Sequence, residues 1–338
     1  MSSAPPVPRV ELTLGPTPLL HLERLSRDLG VELWIKRDDL TGLLESGNEI
    51  RKLEFLVGEA LAQSADTLVT AGTLQSNRCR AVAAVAARLG LRAVLALKGA
   101  PPEEDDGNFL LARLLGAEVH YCSDHDWPRI DERLHDLAAG VRRRGGVPYV
   151  IPERGASVAG ALGYFACGQE LVAQIRHGAP AFDSVVITAF SGGSQAGLLM
   201  ARQLAGLPGD VVGIPIARSA ADVRAHVVGL IEDARRRYGL GVRPPEEVRL
   251  LDGYQAGDRQ DVQPDVLRTV VAVARQEGVV LDPVYTGPAF TGLLDTLRRD
   301  PYALGRRVCF VHTGGIFGIF PFRRVLRRLM DEDALVES

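Results

Sequence analysis

The regular alternation of short apolar runs with longer helical patterns is the feature that most constrains this fold. Runs typical of strands occur at residues 32–36, 67–70, 93–97, 117–121, 148–152, 184–189, 211–216 and 307–311. Helical patterns follow at residues 78–89, 107–115, 129–144, 160–176 and 194–204. Strands that alternate with helices of this length form parallel βαβ units, so the order predicts an α/β protein with sheets wrapped by helices.

Glycines mark the expected ends of several helices. Gly90, Gly116 and Gly146 follow helical patterns where a left-handed cap is expected, and Gly206 is placed to end the helix predicted at 194–204. The chain has no linker, low-complexity tract or repeat of fixed period. The pattern by itself therefore gives no domain boundary.

Size and charge limit the function classes. The 338 residues are enough for two lobes with a core each, and 46% hydrophobic with 24% charged residues is typical of a globular protein. A net charge of −3 gives no support for a nucleic-acid or membrane-surface partner. No apolar run reaches the about 18 residues of a membrane span, and the first residues lack a secretory apolar region. We therefore expect a cytoplasmic protein.

The four cysteines are scattered along the chain. Cys79, Cys122, Cys167 and Cys309 form no C-x-x-C pair, which favours reduced thiols over a disulfide frame or a zinc site. Residues 124–126 (Asp-His-Asp) have ligand-like spacing but lie in a polar loop near a proline. A solvated loop is favoured there, and we expect no metal.

A glycine-rich loop directly follows the strand predicted at 184–189 and opens a helix. It contains Ser191, Gly192, Gly193, Ser194, Gln195, Ala196 and Gly197. Glycines let the backbone approach an anion, and the free N–H groups of a helix start bind it, so the loop predicts a phosphate cup. The dinucleotide fingerprint is absent, because the glycine spacing differs and the next strand ends without an acid for a ribose. A tight turn without a ligand is the alternative.

Residues 46–55, SGNEIRKLEF, predict the start of an amphipathic helix. Ser46 and Glu49 have the spacing of a capping box. The apolar residues that continue the helical pattern are Ile50, Leu53, Val57 and Leu61. On this pattern alone, Glu49 helps to hold the helix start.

The same segment resembles the signature S/G-G-N-K-x-R-K-L-E-F/Y of the D-cysteine desulfhydrase and 1-aminocyclopropane-1-carboxylate deaminase family. Its members are pyridoxal-phosphate (PLP) enzymes of the tryptophan-synthase-β type, and the resemblance covers about residues 16–321. It implies PLP fold type II, with two lobes of three-layer open sheets. The large cofactor-binding lobe would be residues 1–45 and 156–338, and the inserted small lobe residues 46–155. It also implies a small amino-acid-like substrate, and we expect a homodimer.

The resemblance assigns roles to several residues. Asn77 would bond the 3′ oxygen of PLP, Ser76 would hold the substrate carboxylate, and Tyr285 would lie over the substrate. Thr286 or Thr313 would lie near the pyridine nitrogen. The phosphate would bind the loop that contains Ser191, Gly192, Gly193, Ser194, Gln195 and Ala196. The alternatives are structural: Ser76 or Asn77 caps the following helix, and Tyr285 is a half-buried core aromatic.

Two places depart from the family. At residues 254–261 (YQAGDRQD) the family usually has a G-Y-G segment whose Tyr faces the substrate, and Pro288 stands where Lys is common. Cofactor-holding residues are thus retained while substrate-handling residues differ, which favours new chemistry over simple decay. His312 follows a strand predicted to be buried, and we expect a core histidine rather than a base.

The signature's first Lys, the Schiff-base lysine of the family, corresponds to Glu49. A carboxylate cannot form an imine, so PLP is expected to bind noncovalently or to have been lost. Glu49 can act as a general acid or base if burial moves its pKa towards neutrality. There are two alternatives for Glu49: it only caps the helix, or it results from an engineered lysine-to-glutamate change. The only lysines are Lys36, Lys52 and Lys98, and we expect none of them to take over.

Three functions follow from these alternatives. The first is a lyase or deaminase that uses noncovalent PLP. The second is a PLP-independent lyase, cyclase or isomerase with Glu49 as acid or base and a substrate anion in the phosphate cup. The third is a non-catalytic ligand-binding descendant. The retained Ser76, Asn77, Tyr285 and phosphate cup favour the first two.

Overall fold

Two parallel-rich sheets and their surrounding helices form the protein. The computed structural model describes residues 7–44, 47–152, 157–255 and 262–336. The strands are β1 (Leu19–His21), β2 (Glu32–Lys36), β3 (Thr67–Thr73), β4 (Arg92–Lys98), β5 (Glu118–Cys122), β6 (Pro148–Val150), β7 (Ser184–Ala189), β8 (Asp210–Pro215) and β9 (Arg307–Val311). The α-helices are α1 (Glu23–Leu29), α2 (Asn48–Ala62), α3 (Asn77–Leu89), α4 (Gly107–Leu114), α5 (Ile130–Arg143), α6 (Val158–Arg176), α7 (Gly193–Leu204), α8 (Ala220–Tyr238), α9 (Pro264–Glu277), α10 (Thr286–Arg299) and α11 (Arg323–Val336). The predicted α/β class is confirmed.

The two sheets differ in strand order. One has the order β1-β2-β9-β7-β8, in which β1 and β2 pair antiparallel and the other described pairs are parallel. The second has the order β5-β4-β3-β6 and is parallel. Parallel strands are covered on both faces, so they are apolar along their length, and all six residues of β7 are buried. The strands of the second sheet lie within residues 67–150, while the lobe boundaries themselves stay a prediction.

Helices α2, α6 and α7 link the two sheets through one core. Helix α6 packs against both α2 and α7. The same apolar cluster contains Leu68 of β3, Leu53 of α2 and Val185 of β7. The helix that carries Glu49 and the helix that follows the glycine loop are therefore fixed to a common core.

The apolar face of α2 is buried largely as its pattern predicts. Ile50, Leu53 and Val57 are each 0% exposed. The prediction for Leu61 is wrong: it is 41% exposed, because the buried stripe continues through Ala60, three residues after Val57.

Most of the glycine predictions are confirmed. Gly90 caps α3 with a φ of 70°, and Gly116 and Gly206 follow their helices with φ of 80° and 74°. The prediction for Gly146 is wrong. Helix α5 ends one residue earlier than predicted, so the left-handed position falls to Gly145, with a φ of 81°.

The cysteines are free, buried thiols, and burial raises the pKa of Cys167 and Cys309. The described residues contain no group of three or more His, Cys, Asp or Glu side chains that could hold a metal ion. Within the same ranges, no helix is long and apolar enough to cross a membrane. The side chains of Asp124 and His125 are 85% and 88% exposed, so this segment is a solvated loop.

Candidate active site

Most of the residues predicted for the site meet in one space, which we call the central cleft. It lies beyond the C-terminal ends of β3, β7 and β9 and is lined by the first turns of α2, α3 and α7. The predicted residues that line it are Glu49, Ser76, Asn77, Ser191, Gly192, Gly193, Ser194, Tyr285 and Thr313. The C-terminal ends of parallel strands are where α/β sheets bind ligands.

The glycine loop forms an anion site at the start of α7. Gly192 is the N-cap residue with a φ of 81°, and a Cβ there would lie 2.5 Å from a valine side chain of α8. Only glycine fits this position. The N–H of Ala196 donates to O of Gly192 at 2.8 Å, and the N–H groups of residues 193–195 precede this bond, so they have no acceptor within the helix. With the hydroxyls of Ser191 and Ser194, they are suited to a phosphate.

Three predicted cofactor residues do not line the central cleft. The side chain of Gln195 turns into the core, where Nε2 donates to a main-chain carbonyl at 3.0 Å, and Ala196 is buried within α7. Thr286 is fully buried, and its hydroxyl donates to Asp282 at 2.7 Å. Of the two threonines assigned to the pyridine nitrogen, Thr313 is the one on the cleft.

Ser76 caps a helix and also lines the cleft. Its Oγ accepts the N–H of Cys79 at 3.2 Å, so it caps α3. Ser76 also lines the central cleft beside Asn77. A hydroxyl that accepts one bond still has a proton to donate, so capping leaves Ser76 able to bind a ligand carboxylate.

The carboxylate of Asp282 holds the segment that carries Tyr285. Its Oδ2 accepts the N–H groups of Val284 and Tyr285 at 3.0 and 2.8 Å. Its Oδ1 accepts the N–H and the hydroxyl of Thr286 at 2.8 and 2.7 Å. The half-buried ring of Tyr285 meets Phe190 edge-on, with centroids 5.9 Å apart, and both residues line the cleft.

Glu49 lies between two cations at the cleft end of α2. Its Oε1 is 2.9 Å from Nζ of Lys52, and its Oε2 is 3.6 Å from Nε of Arg78. Burial acts to raise the pKa of Glu49, but the charges of Lys52 and Arg78 outweigh it and hold the pKa below its ordinary value. The condition stated for an acid or base role, that burial moves the pKa of Glu49 towards neutrality, is therefore not met by the protein's side chains alone.

The start of α2 differs from the predicted capping box in its N-cap residue. Its N-cap is Gly47, without a side-chain cap. A Cβ on Gly47 would lie 2.1 Å from O of Thr313, and the N–H of Asn48 donates to that oxygen at 2.9 Å. Ser46, the predicted capping residue, lies outside the described residues. The described bonds of the Glu49 side chain therefore go to cations.

Lys52, Arg78 and Thr188 also line the cleft, and none of them was predicted as a site residue. Arg78 is in the first turn of α3, where the helix dipole disfavours a cation. This unfavourable position is the feature of the sequence that marks Arg78 as a candidate functional residue. Oγ1 of Thr188 is buried and has no hydrogen-bond partner among the described residues. A buried hydroxyl of this kind on a cleft wall is suited to a ligand.

The other two lysines do not line the central cleft. Lys36 is fully buried, and its ammonium is ion-paired with Glu170. Lys98 lies 3.0 Å from Asp124 in a neighbouring outer pocket. Lys52 is thus the one lysine that the structure places on the central cleft, and it is already paired with Glu49.

His312 is a core histidine, as expected. It is 1% exposed, its Nδ1 accepts the N–H of Gly314 at 3.2 Å, and Nε2 lies 3.0 Å from O of Val280. Pro288 is buried in the first turn of α10. Of the segment that departs from the family, residues 256–261 lie outside the described residues.

The fold and the cleft define an α/β protein with a site suited to a small anionic ligand at the ends of its parallel strands. Residues 10–314 match the family model described as "Pyridoxal-phosphate dependent enzyme". The chain belongs to this family.

Relatives in this family are similar along nearly the whole chain. A D-cysteine desulfhydrase of Yersinia enterocolitica is 40% identical over 320 residues, which cover 93% of this chain and 96% of that protein. The crystal structure of an ACC deaminase homologue is 39% identical with a TM-score of 0.86, over 95% of this chain and 96% of that one. A fungal L-serine ammonia-lyase from Rhizomucor miehei, 20% identical with a TM-score of 0.66 over 90% and 94% of the two chains, shares the fold.

These similarities confirm the predicted family, PLP fold type II and the PLP cofactor. The cleft fits such a cofactor, because it combines an anion loop at a helix start with the partnerless hydroxyl of Thr188 and the polar side chains of Asn77 and Thr313. The roles of single residues and the homodimer stay predictions.

Proposed function

We propose that the protein is a lyase or deaminase that acts on a small amino-acid-like substrate with noncovalently held PLP. In this proposal, Glu49 stands in place of the Schiff-base lysine. The observation that carries it is that Glu49 and the intact anion loop at Ser191 and Gly193 line the same cleft. The names of the relatives, D-cysteine desulfhydrase and ACC deaminase homologue, support the substrate class.

Each cleft residue has a task that matches its chemistry. PLP, when bound, supplies an electron sink for negative charge that develops on the substrate. The N–H groups at the start of α7 and the hydroxyls of Ser191 and Ser194 would hold its phosphate. Asn77 and Thr313 would bind the polar atoms of the ring. Ser76 would bind the substrate carboxylate, and Tyr285 would cover the substrate.

Glu49 would be the group that moves protons. Lys52 and Arg78 hold its pKa low, so it is ionised at neutral pH. An anion in the cleft adds negative charge beside these groups, and nearby negative charge raises the pKa of a carboxyl group. Ligand binding therefore moves Glu49 towards the range in which a carboxyl exchanges protons efficiently. A role in capping alone is less favoured, because the described bonds of its carboxylate go to Lys52 and Arg78.

The cofactor part of the proposal is tested by titrating the purified protein with PLP and with pyridoxal, which lacks the phosphate. We expect tighter binding of PLP, because only PLP uses the anion loop. Equal affinities would remove the phosphate-cup assignment. The catalytic part is tested by assaying ammonia release from D-cysteine, 1-aminocyclopropane-1-carboxylate and other small amino acids, with Glu49→Gln as the matched variant. Full activity in Glu49→Gln would leave Glu49 without a catalytic role.

A further inference from the structure

A chain of buried side chains fixes how Asn77 faces the central cleft. Asn77 and Arg80 belong to α3, and Asn108 belongs to the neighbouring helix α4. Arg80 is 0% and Asn108 1% exposed, whereas Asn77 lines the cleft. A side-chain amide has a donor end and an acceptor end, so its partners on the protein side decide which end a ligand meets.

The orientation of Asn108 follows from partners that each have a single role. NH1 of Arg80 can only donate, and it lies 2.6 Å from Oδ1 of Asn108. The carbonyl O of Gln75 can only accept, and it lies 2.9 Å from Nδ2 of Asn108. Reversing the amide would place donor against donor and acceptor against acceptor. The amide of Asn108 therefore has one satisfied orientation.

The orientation of Asn77 follows in turn. Nδ2 of Asn108 donates to Oδ1 of Asn77 at 2.9 Å, and NH1 of Arg80 lies 3.4 Å from the same oxygen. A reversed Asn77 would set its own NH2 group against both of these donors. The carbonyl end of Asn77 is thus engaged on the protein side, and its NH2 group is the end that remains for a ligand.

We propose that Asn108 is a positioning residue: it makes Asn77 a hydrogen-bond donor towards the central cleft and so selects a ligand with an ionised oxygen at that place. This inference rests on the proposed function, in which the 3′ oxygen of PLP lies at Asn77. A donor stabilises the ionised form of that oxygen, whereas a carbonyl group would repel it.

The variant Asn108→Asp removes the donor and keeps the size of the side chain. Its carboxylate would lie against the guanidinium of the buried Arg80, which favours folding. It can donate neither to Oδ1 of Asn77 nor to the carbonyl O of Gln75, so a carboxylate oxygen would face each of these acceptors. We expect the Asn77 amide to reverse and to present its carbonyl to the ligand. Asn108→Ser, which removes the amide without adding charge, is the second variant.

The experiment titrates wild type and both variants with PLP and with 3-deoxypyridoxal phosphate, an analogue that lacks the 3′ oxygen. We expect Asn108→Asp to weaken PLP about 10- to 100-fold, the range of a charge-assisted hydrogen bond, with the affinity for the analogue unchanged. Asn108→Ser should give a smaller loss of the preference for PLP. In both variants, the pH at which the 3′ oxygen of bound PLP ionises, followed by absorbance, should move upward.

The outcomes separate this inference from the proposed function. Equal weakening of PLP and the analogue in the folded variants, or an unchanged preference for PLP, would mean that Asn108 has only a structural role. If Asn108→Asp does not fold, the ratio of the PLP affinity to the analogue affinity in Asn108→Ser tests the inference by the same criterion. If wild type does not bind PLP, the proposed function fails and this inference fails with it. A failure confined to the Asn108 variants leaves the proposed function intact.

Discussion

The carboxylate of Glu49 lies 2.9 Å from the ammonium of Lys52, one turn further along α2, and both groups face the glycine loop across the central cleft. Arg78 adds a second cation, 3.6 Å from the same carboxylate. The position that the family resemblance assigns to a Schiff-base lysine is thus part of a cluster of one carboxylate and two cations. We expect the reactivity of this site to depend on how that cluster responds to a ligand.

Replacing Lys52 by Met removes the nearer cation from Glu49. Burial disfavours the ionised form of Glu49, and in this variant only the charge of Arg78 counteracts burial. The pKa of Glu49 should therefore rise. Carboxyl-detected NMR measures this pKa directly. Lys98→Met is the matched control, because Lys98 pairs with the exposed Asp124 and should leave the pKa of Glu49 unchanged. An unaltered Glu49 pKa in Lys52→Met would refute the electrostatic account.

The variants Glu49→Gln and Glu49→Lys separate the roles of this residue. Glu49→Gln keeps the size and removes the charge, so turnover should fall about 10²–10⁴-fold if Glu49 moves protons. The free energy of unfolding should change by less than about 1 kcal/mol, because the amide oxygen of Gln can still accept a hydrogen bond from Lys52. Glu49→Lys should restore a covalent PLP anchor that borohydride reduction traps. Wild-type turnover in Glu49→Gln would end the case for a catalytic glutamate.

Asp282→Ala tests the support of Tyr285. The change leaves three N–H groups and one hydroxyl without their acceptor, and we expect a loss of about 2–5 kcal/mol in the free energy of unfolding. Turnover should fall further than PLP affinity, because Tyr285 is assigned to the substrate. Asp300→Ala is the control, since that carboxylate accepts only the exposed N–H of Tyr302. Denaturant unfolding and PLP titration give both quantities, and a PLP affinity that falls as far as turnover does would contradict this assignment.

A buried ion network beside α2 should make stability depend on acid pH. Arg51 is 2.8 Å from Asp38 and 3.0 Å from Glu170, and Arg51 and Asp38 are almost fully buried. Burial acts to raise the pKa of both carboxyl groups, but Arg51, together with Lys36, outweighs it and lowers both pKa values. Carboxyl groups with lowered pKa stabilise the fold above their ordinary values of 3.8 and 4.5. That stabilisation is lost as the pH falls below these values.

Asp38→Asn tests this network. At neutral pH it leaves Arg51 with a single charge partner, and we expect a loss of about 3–5 kcal/mol in the free energy of unfolding. The difference between variant and wild type should shrink in acid, where wild type also loses the charge. Asp265→Asn, in an exposed pair with Arg268, should have little effect at either pH. A difference that does not depend on pH would mean that Asp38 acts through shape rather than charge.

Local features of the fold could be predicted because they depend on neighbours in sequence. The run at residues 184–189 and the glycines after it predicted β7 and, within one residue, the start of α7. The error at Gly146 is of the size that helix ends produce, since the last turn is set by a few competing hydrogen bonds. The error at Leu61 has another cause, because the buried stripe of α2 continues at Ala60.

The contacts of Glu49 with Arg78 and of Asn77 with Asn108 could not be predicted, because they join helices that meet only in the folded chain. Asn108 is 31 residues from Asn77, and Glu170 is 119 residues from Arg51. No periodicity in the sequence reports such pairs. The same holds for Gln195, whose position in the glycine loop suggested a ligand contact, although its side chain bonds a core carbonyl.

The central claim, that PLP binds here without a lysine anchor, is tested most directly by borohydride reduction of the PLP-loaded protein followed by mass spectrometry of its peptides. The account predicts that PLP binds and that no pyridoxyl mass appears on Lys36, Lys52 or Lys98. Lys36 is buried in its ion network, Lys98 lies in the outer pocket, and the amine of Lys52 is paired with Glu49. A stoichiometric pyridoxyl adduct on Lys52 would contradict the account and show that a lysine one turn along α2 has taken over as the anchor.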